Sequence, residues 1–308
     1  MEKFEHIFNI INEQAEKFEK QDMTYLDGVL AMLEGTLDGA FKWEVEGATK
    51  EDMRKAIQIA ILKGMRKNTQ PNHQMTPDTL GLLVSYFVEQ FYEKDLAEGS
   101  ISVADLALGT GNLMFTLMNV LDGKVEATGV EVDELLIRLA AATADLTEQP
   151  IALYRQDALE SLLVDPVDAV VCDLPVGYYP NEEVALDYEL CAEEGMSYSH
   201  HLFIEQSLKH TKEGGYLFFL IPAALFESEQ AKNLHKYIKK HAWIQAVIQL
   251  PETMFSSKAH EKSILILQKQ RADVKAPREV LLAKVPNMAN KQALAMFFEK
   301  VRLWKENK

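Results

Sequence analysis

Cysteine is nearly absent: Cys172 and Cys191 are the only two in 308 residues. Two thiols cannot staple a small secreted scaffold, so the fold rests on a packed core and suits a reducing compartment. Long apolar runs are missing too, the longest, Tyr216 to Phe226, falling well short of the roughly 20 residues that a membrane span needs. The opening Met-Glu-Lys-Phe-Glu-His has no basic region leading into an apolar stretch, so a cytoplasmic protein with no signal peptide and no membrane association is expected. Positive charge is in deficit, with 32 Lys+Arg against 47 Asp+Glu and a formal net charge of −15. That excludes a basic protein that coats nucleic acid through its phosphates. What is present is ample core material, 47% apolar, in a length that suggests about two domains.

The first seventy residues read as helical. Phe4, Ile7, Phe8 and Ile11 recur at i, i+3, i+4 and i+7, and Leu26, Val29, Leu30 and Leu33 repeat the pattern. A third helix starts after Thr49, an N-cap with Glu51 and Asp52 in the first turn, and runs toward Gly64. The polar, Pro-interrupted stretch Asn68 to Thr76 marks a boundary. Beyond it, seven β-branched or apolar runs alternate with helical stretches: Ile101–Leu106, Val125–Val130, Ile151–Tyr154, Ala169–Cys172, Tyr216–Ile221, Ala246–Leu250 and Ile264–Leu267. The expected fold is α/β, a mostly parallel Rossmann-like sheet of seven strands covered on both faces. Residues 1–72 form an N-terminal helical domain, 73–270 the core, and 271–308 a helical tail with Leu294, Phe297, Phe298 and Val301 on one face.

The first strand ends in Asp105-Leu106-Ala107-Leu108-Gly109-Thr110-Gly111-Asn112, with a helix following. Glycines at such a turn let backbone approach a ligand and leave helix N–H groups pointing at it. The same spacing also suits an ordinary tight turn or a dinucleotide site. Twenty residues past Gly111, Glu131 closes the second strand beside Val132, placed to accept both ribose hydroxyls of a nucleoside. Asp157 with Ala158 follows the third strand and can meet an adenine amino group. Met114 stands where the dinucleotide fingerprint needs its third glycine, which disfavours an NAD-dependent oxidoreductase. Three carboxylates, Asp105, Glu131 and Asp157, suit a cationic cofactor without a pyrophosphate, a description that S-adenosylmethionine meets.

In these motifs the chain resembles the class I S-adenosylmethionine-dependent methyltransferases. Asp105 to Asn112 is similar to their first motif, Glu131 to their ribose-binding acid, and Asp157-Ala158 to their adenine motif. Within that class it resembles the N6-adenine DNA methylases, particularly the modification subunit of type I restriction systems. Thr76-Pro77 is similar to the Thr-Pro segment that touches the cofactor's methionine end. Leu202–Gln206, Glu213–Tyr216, Val247–Phe255 and Ser263–Leu267 follow in the same order and spacing. The resemblance covers residues 73–270 and implies methyl transfer to an amino nitrogen, of adenine in nucleic acid. Asp173-Leu174-Pro175-Val176, at the end of the fourth strand, corresponds to the catalytic motif. It implies that the Asp173 side chain and the Leu174 carbonyl accept from the target amino group. The family's stacking aromatic is replaced by Val176, with Tyr178 and Tyr179 close behind. A cofactor-binding scaffold or regulatory protein that has lost its chemistry is therefore a second reading.

Charge bears on the substrate. Gly177 to Ser199 holds six acids and no Lys or Arg, a solvated loop or a surface for a basic partner, and a poor neighbour for a DNA backbone. Lys232, Lys236, Lys239 and Lys240 read as the solvent face of a helix. The chain also looks too short for a separate target-recognition domain, so a protein partner is expected to supply sequence specificity. No metal site is expected: His200-His201 near Glu205 reads as a helix start capped by Ser199. Cys172 reads as a buried, inert thiol.

Overall fold

In the computed structural model, residues 2–43, 45–67, 70, 74–255 and 257–306 are described. Asn68, Thr69, Pro71, Asn72 and His73, where the domain boundary was expected, lie outside the described residues. The chain runs α1 (Lys3–Glu19), α2 (Tyr25–Leu37), α3 (Lys50–Lys67), α4 (Asp78–Phe91), α5 (Glu93–Glu98), β1 (Ile101–Asp105), α6 (Asn112–Val120), β2 (Val125–Glu131), α7 (Glu134–Thr147) and β3 (Ile151–Arg155). It continues through β4 (Val167–Asp173), α8 (Glu182–Ala185), α9 (Ser199–Lys209), β5 (Thr211–Pro222), α10 (Ala231–His241), β6 (Ala242–Gln249), β7 (Lys262–Lys269), β8 (Leu281–Lys284) and α11 (Lys291–Glu306). The strand order is β3-β2-β1-β4-β5-β7-β6-β8.

The fold is α/β, as expected, and all seven expected runs are strands. The described residues form eight strands rather than the expected seven. The additional strand, β8, lies inside the 271–308 segment read as a helical tail and pairs in parallel with β6, Ala246 opposite Leu281. It escapes a pattern reading because its four residues are too few to show alternation. Only Leu281 is fully buried, while Leu282 is 68% exposed.

The chain divides into two compact units, Met1–Ser85 with Ala107–Asp157, and Tyr86–Leu106 with Ala158–Lys308. In the first, Ile7, Ile11, Val29, Leu33, Ile57 and Ile61 of the three N-terminal helices join Leu136 and Leu139 of α7 in one buried cluster. The amphipathic spacing of α1 and α2 thus closes on α7 as well as on itself. Helix α3 begins where Thr49 and Asp52 cap each other: the Asp52 amide donates to Thr49 Oγ1 at 3.1 Å, and the Thr49 amide to Asp52 Oδ2 at 2.9 Å. Strands β2 and β3 pair in parallel.

In the second unit β1, β4 and β5 are parallel neighbours, whereas β7 runs antiparallel to both β5 and β6. Ala169–Cys172, Leu217–Leu220 and Ile264–Leu267 are wholly buried. Strands buried on both faces cannot alternate, which is why these segments read as continuous apolar runs. Each large side chain among them contributes roughly 1.5–3 kcal/mol through burial. Helix α10 buries Leu234, Tyr237 and Ile238 and leaves its four lysines exposed.

Candidate functional site

The first unit carries most of the residues expected at the nucleoside end. The turn after Leu106 folds back on itself with the Gly111 amide donating to the Leu108 carbonyl at 3.0 Å. Both glycines sit at positive φ, +59° for Gly109 and +82° for Gly111. The Gly109 amide donates to Glu131 Oε2 at 2.7 Å, and the Asp133 amide to Oε1 at 2.9 Å. Burial pushes the Glu131 carboxyl above its ordinary range, and these backbone donors only partly offset it. Val132 beside it is 62% exposed, an apolar side chain held out at the strand end. Asp133 caps α7 through Oδ1, which accepts from the Leu135 and Leu136 amides.

Three observations fit a nucleoside cofactor here. A methyl group added at Gly109 would meet nothing closer than the Gln74 carbonyl at 4.0 Å, so the space over the turn is open. The Thr110 hydroxyl is buried and finds no hydrogen-bond partner among the described residues. The first residues of α6 follow the turn directly, aiming backbone donors out of it. Thr110, Gly111 and Asn112 are buried, Ala107 and Asp157 partly so.

The segment expected at the methionine end is held by a polar network. Asn112 Nδ2 donates to the Thr76 carbonyl at 2.6 Å and to Asp78 Oδ1 at 2.9 Å. The Pro77 carbonyl accepts from the Leu80 and Gly81 amides and so opens α4. Arg54, from α3, reaches the same network. Its Nη1 donates to Asn112 Oδ1 at 2.9 Å, and Nη2 to Asp78 Oδ2 at 2.8 Å. Its Nε and Nη2 each meet a Glu51 oxygen at 2.8 Å. Burial opposes the charge on Asp78, but hydrogen bonds from Arg54, Asn112 and Gln58 hold its carboxyl below the ordinary value.

The second unit carries the residues expected at the acceptor end, together with Asp105 and Ala158 of the expected cofactor set. Asp105 closes β1, buried. Asp173 closes β4, and the Leu174 amide that follows donates to the Leu220 carbonyl at 3.1 Å, which fixes the chain as it leaves the sheet. Leu174 and Ala158 are buried, Pro175 partly buried, and Val176 59% exposed. Lys262, the first residue of β7, forms an ion pair with Asp173 Oδ1. The sequence reading missed this lysine, because its strand was started at Ile264 and the antiparallel return that sets Pro222 opposite Lys262 has no local signal.

The two tyrosines separate. Tyr179 is buried, whereas Tyr178 is 56% exposed and stacks on Tyr198 with centroids 5.0 Å apart and planes at 16°. Tyr198 in turn stacks on His200. The acidic segment behind them is not merely solvated. The Glu205 carboxylate, almost fully buried, accepts from the Glu189 and Leu190 amides at 3.0 and 2.8 Å. The Tyr188 hydroxyl donates to the Leu159 carbonyl at 2.6 Å. Helix α9 starts at Ser199 with Tyr198 in the cap position, one residue before the expected cap. Burial lowers His200 to about 4 and His201 to about 3, so both are neutral in ordinary buffers. Among the described residues no group of three His, Cys, Asp or Glu side chains could hold a metal ion. No described helix is long and apolar enough to cross a membrane.

The glycine turn and the strand-end acid Glu131 stand on an α/β sheet of the kind found in class I S-adenosylmethionine-dependent methyltransferases. The family model for N-6 DNA methylases matches residues 71–301, and the chain belongs to that family. S-adenosylmethionine is the cofactor of the class. The chain is 50% identical over 245 residues to the uncharacterised protein YtxK of Bacillus subtilis (strain 168), which spans 79% of this chain and 74% of that one. A candidate class I S-adenosylmethionine-dependent methyltransferase from Listeria monocytogenes matches 98% of this chain and 99% of its own, with 41% identity and a TM-score of 0.92. The methyltransferase subunit of a type I restriction-modification system from Streptococcus thermophilus shares the fold at 16% identity and a TM-score of 0.67, over 86% of this chain and 60% of that one.

Proposed function

We propose that this cytoplasmic methyltransferase methylates an amino nitrogen of adenine in nucleic acid, guided to its target by a protein partner. S-adenosylmethionine, when bound, supplies the electrophilic methyl group. In this reading Gly109, Thr110, Glu131, Val132 and Asp157 hold the nucleoside, with Ala107, Gly111 and Ala158 shaping the turns. Thr76, Pro77 and Asn112 hold the methionine end. Asp173 accepts one N–H of the acceptor amine, which aligns the nitrogen lone pair and leaves the carboxylate beside the proton to be shed. Pro175 stiffens the exit from β4, and the Leu174 carbonyl accepts the second N–H.

The observation that carries the acceptor class is Tyr178, an exposed ring backed by Tyr198, two residues past the valine that occupies the family's stacking position. A backed ring offers a flat face to a base, and such stacking is worth about 1–3 kcal/mol. Support for a partner comes from charge: a chain at −15 with a folded acidic segment next to Val176 gains little affinity from phosphates by itself. The experiment is transfer of labelled methyl from S-adenosylmethionine to adenine-containing single- and double-stranded oligonucleotides, with Asp173→Ala and Tyr178→Ala alongside. Label in N6-methyladenine that both substitutions abolish supports the reading. Label arriving in protein or small molecules instead overturns the acceptor class.

A second reading is favoured by the Lys262–Asp173 ion pair, which already engages the carboxylate the acceptor needs. It makes the protein a cofactor-binding scaffold. Cofactor binding with no labelled product in either nucleic acid or lysate protein would support it.

A further inference from the structure

We propose that Arg54 is a positioning residue for the cofactor, setting the orientation of Asn112 and the Thr76–Asp78 segment from a helix that lies before the matched family region. The inference rests on the reading that Thr76, Pro77 and Asn112 meet the methionine end. The guanidinium is only 4% exposed, and all of the contacts above are made within one compact unit.

The carboxamide of Asn112 can be turned two ways, with oxygen or nitrogen toward Arg54. Arginine only donates, so the guanidinium selects the orientation that puts Oδ1 against Nη1. The same choice turns Nδ2 to the Thr76 carbonyl and to Asp78. Asn112 is the first residue of α6 and Asp78 the first of α4. Arg54 thus fixes, through one planar group, the starting residues of both helices that flank the methionine-end segment. It also stands among Glu51, Asp78 and Asn112 as the buried cation that lets two partly exposed carboxylates stand side by side. Among the described residues, the hydrogen bonds and ion pairs of Arg54 run to Glu51, Asp78 and Asn112, not to Glu131 or Val132. The nucleoside end is therefore independent of this network, and the two ends of the cofactor should respond differently to its loss.

Lysine keeps the charge but is a point donor that cannot engage Glu51, Asp78 and Asn112 in one plane. The test is calorimetric titration of the full chain and of Arg54→Lys, Arg54→Met and Glu51→Gln with S-adenosylhomocysteine and with 5′-methylthioadenosine. The second ligand keeps the nucleoside and sulfur but lacks the amino-acid end. Arg54→Lys should bind S-adenosylhomocysteine about tenfold to a hundredfold more weakly, the loss of hydrogen bonds to charged groups. It should bind 5′-methylthioadenosine within about twofold of the parent protein. Arg54→Met should repeat the pattern more strongly, and Glu51→Gln more mildly.

Equal weakening of both ligands would make Arg54 a merely structural residue, and parent-like binding of S-adenosylhomocysteine by Arg54→Lys would remove any role; either result overturns the proposal. Should Arg54→Met fail to fold, Arg54→Lys and Glu51→Gln still decide, since neither buries an unpaired carboxylate. If the parent protein bound neither ligand, the reading of the cofactor site would fall first, a result distinct from selective or unselective loss in the variants.

Discussion

Replacing the two glycines of the cofactor turn by alanine, one at a time, should separate stability from binding. At Gly111, φ is +82° and the new methyl carbon would stand 2.5 Å from Phe115 Cε2 and 2.8 Å from Cζ. The Phe115 ring is 1% exposed, so it cannot swing into solvent. The left-handed backbone costs an alanine roughly 1–2 kcal/mol, and overpacking a filled core about 1–3 kcal/mol more. Gly111→Ala should therefore lose about 2–5 kcal/mol. At Gly109, φ of +59° carries the same backbone cost, but the methyl meets nothing nearer than 4.0 Å. Gly109→Ala should lose only about 1–2 kcal/mol. Its methyl would fill the space a ligand needs for close approach, so S-adenosylhomocysteine affinity should fall more than about tenfold, or ~1.4 kcal/mol. Urea denaturation followed by tryptophan fluorescence gives the stabilities, and calorimetric titration the affinities. A folded Gly109→Ala protein that binds as tightly as the parent would refute close approach at this turn. Equal stability of the two variants would refute the packing of Phe115.

Acidification should weaken cofactor binding earlier than an ordinary glutamate would allow. In the proposed reading the ionised Glu131 accepts from ribose; its carboxyl is raised by burial, and so protonation begins above the usual value near 4.3. Titrations between pH 5 and 8 should show affinity dropping on the acid side, with Glu131→Gln weaker and flat. Asp78 behaves oppositely. Its lowered carboxyl contributes stability that is present above the unfolded value, about 3.9, and is lost as pH falls through the folded one. Acid denaturation of Asp78→Asn should be correspondingly shallower in that range. Glu205→Gln removes the charge on which the Glu189 and Leu190 amides converge. A loss of about 1–3 kcal/mol follows for charged hydrogen bonds, and amide exchange should quicken in residues 182–198 while β4 and β5 stay protected. Uniform exchange throughout would argue against this local anchoring.

The parts of the molecule legible in the sequence are those with a local cause. The strand runs announce themselves because burial on two faces demands unbroken apolar stretches, as in Val170-Val171-Cys172. The glycine turn and Glu131 were visible because close backbone approach and a strand-end carboxylate recur at fixed spacing. Arg54 was not, although its register gave a hint. It stands three residues before Ile57 and seven before Ile61, both buried, so a charged group was placed on the apolar stripe of α3. Only a partner can reconcile that placement with burial, and the partners, Asp78 and Asn112, lie 24 and 58 residues away. Lys262 was hidden for a similar reason, its carboxylate lying 89 residues back along the chain. The six acids after Gly177 are exposed, as a solvated segment requires, but their charge density says nothing about the buried Tyr188 and Glu205 that fold the segment down.

Arg54 and Lys262 answer the same electrostatic problem. A sulfonium cofactor and an amine that must shed a proton both favour carboxylates, and the chain gathers them in each unit: Glu51 and Asp78 in one, Asp173 in the other. Carboxylates drawn out of water repel one another and tend to protonate. At these particular acids each unit places a cation, Arg54 in the first and Lys262 in the second. In the first unit the cation is an arginine bonded on both edges, too deeply engaged to leave, so it serves position. In the second it is a lysine paired with Asp173 at a strand end, 18% exposed, an ammonium that an incoming acceptor amine can displace. Lys262→Met should consequently leave S-adenosylhomocysteine affinity within about twofold while changing methyl transfer. A rise in transfer would show that Lys262 competes with the acceptor amine; a fall would show that it holds the Asp173 side chain in place for the acceptor. Transfer unaltered by the substitution would mean that the ion pair stands apart from the chemistry.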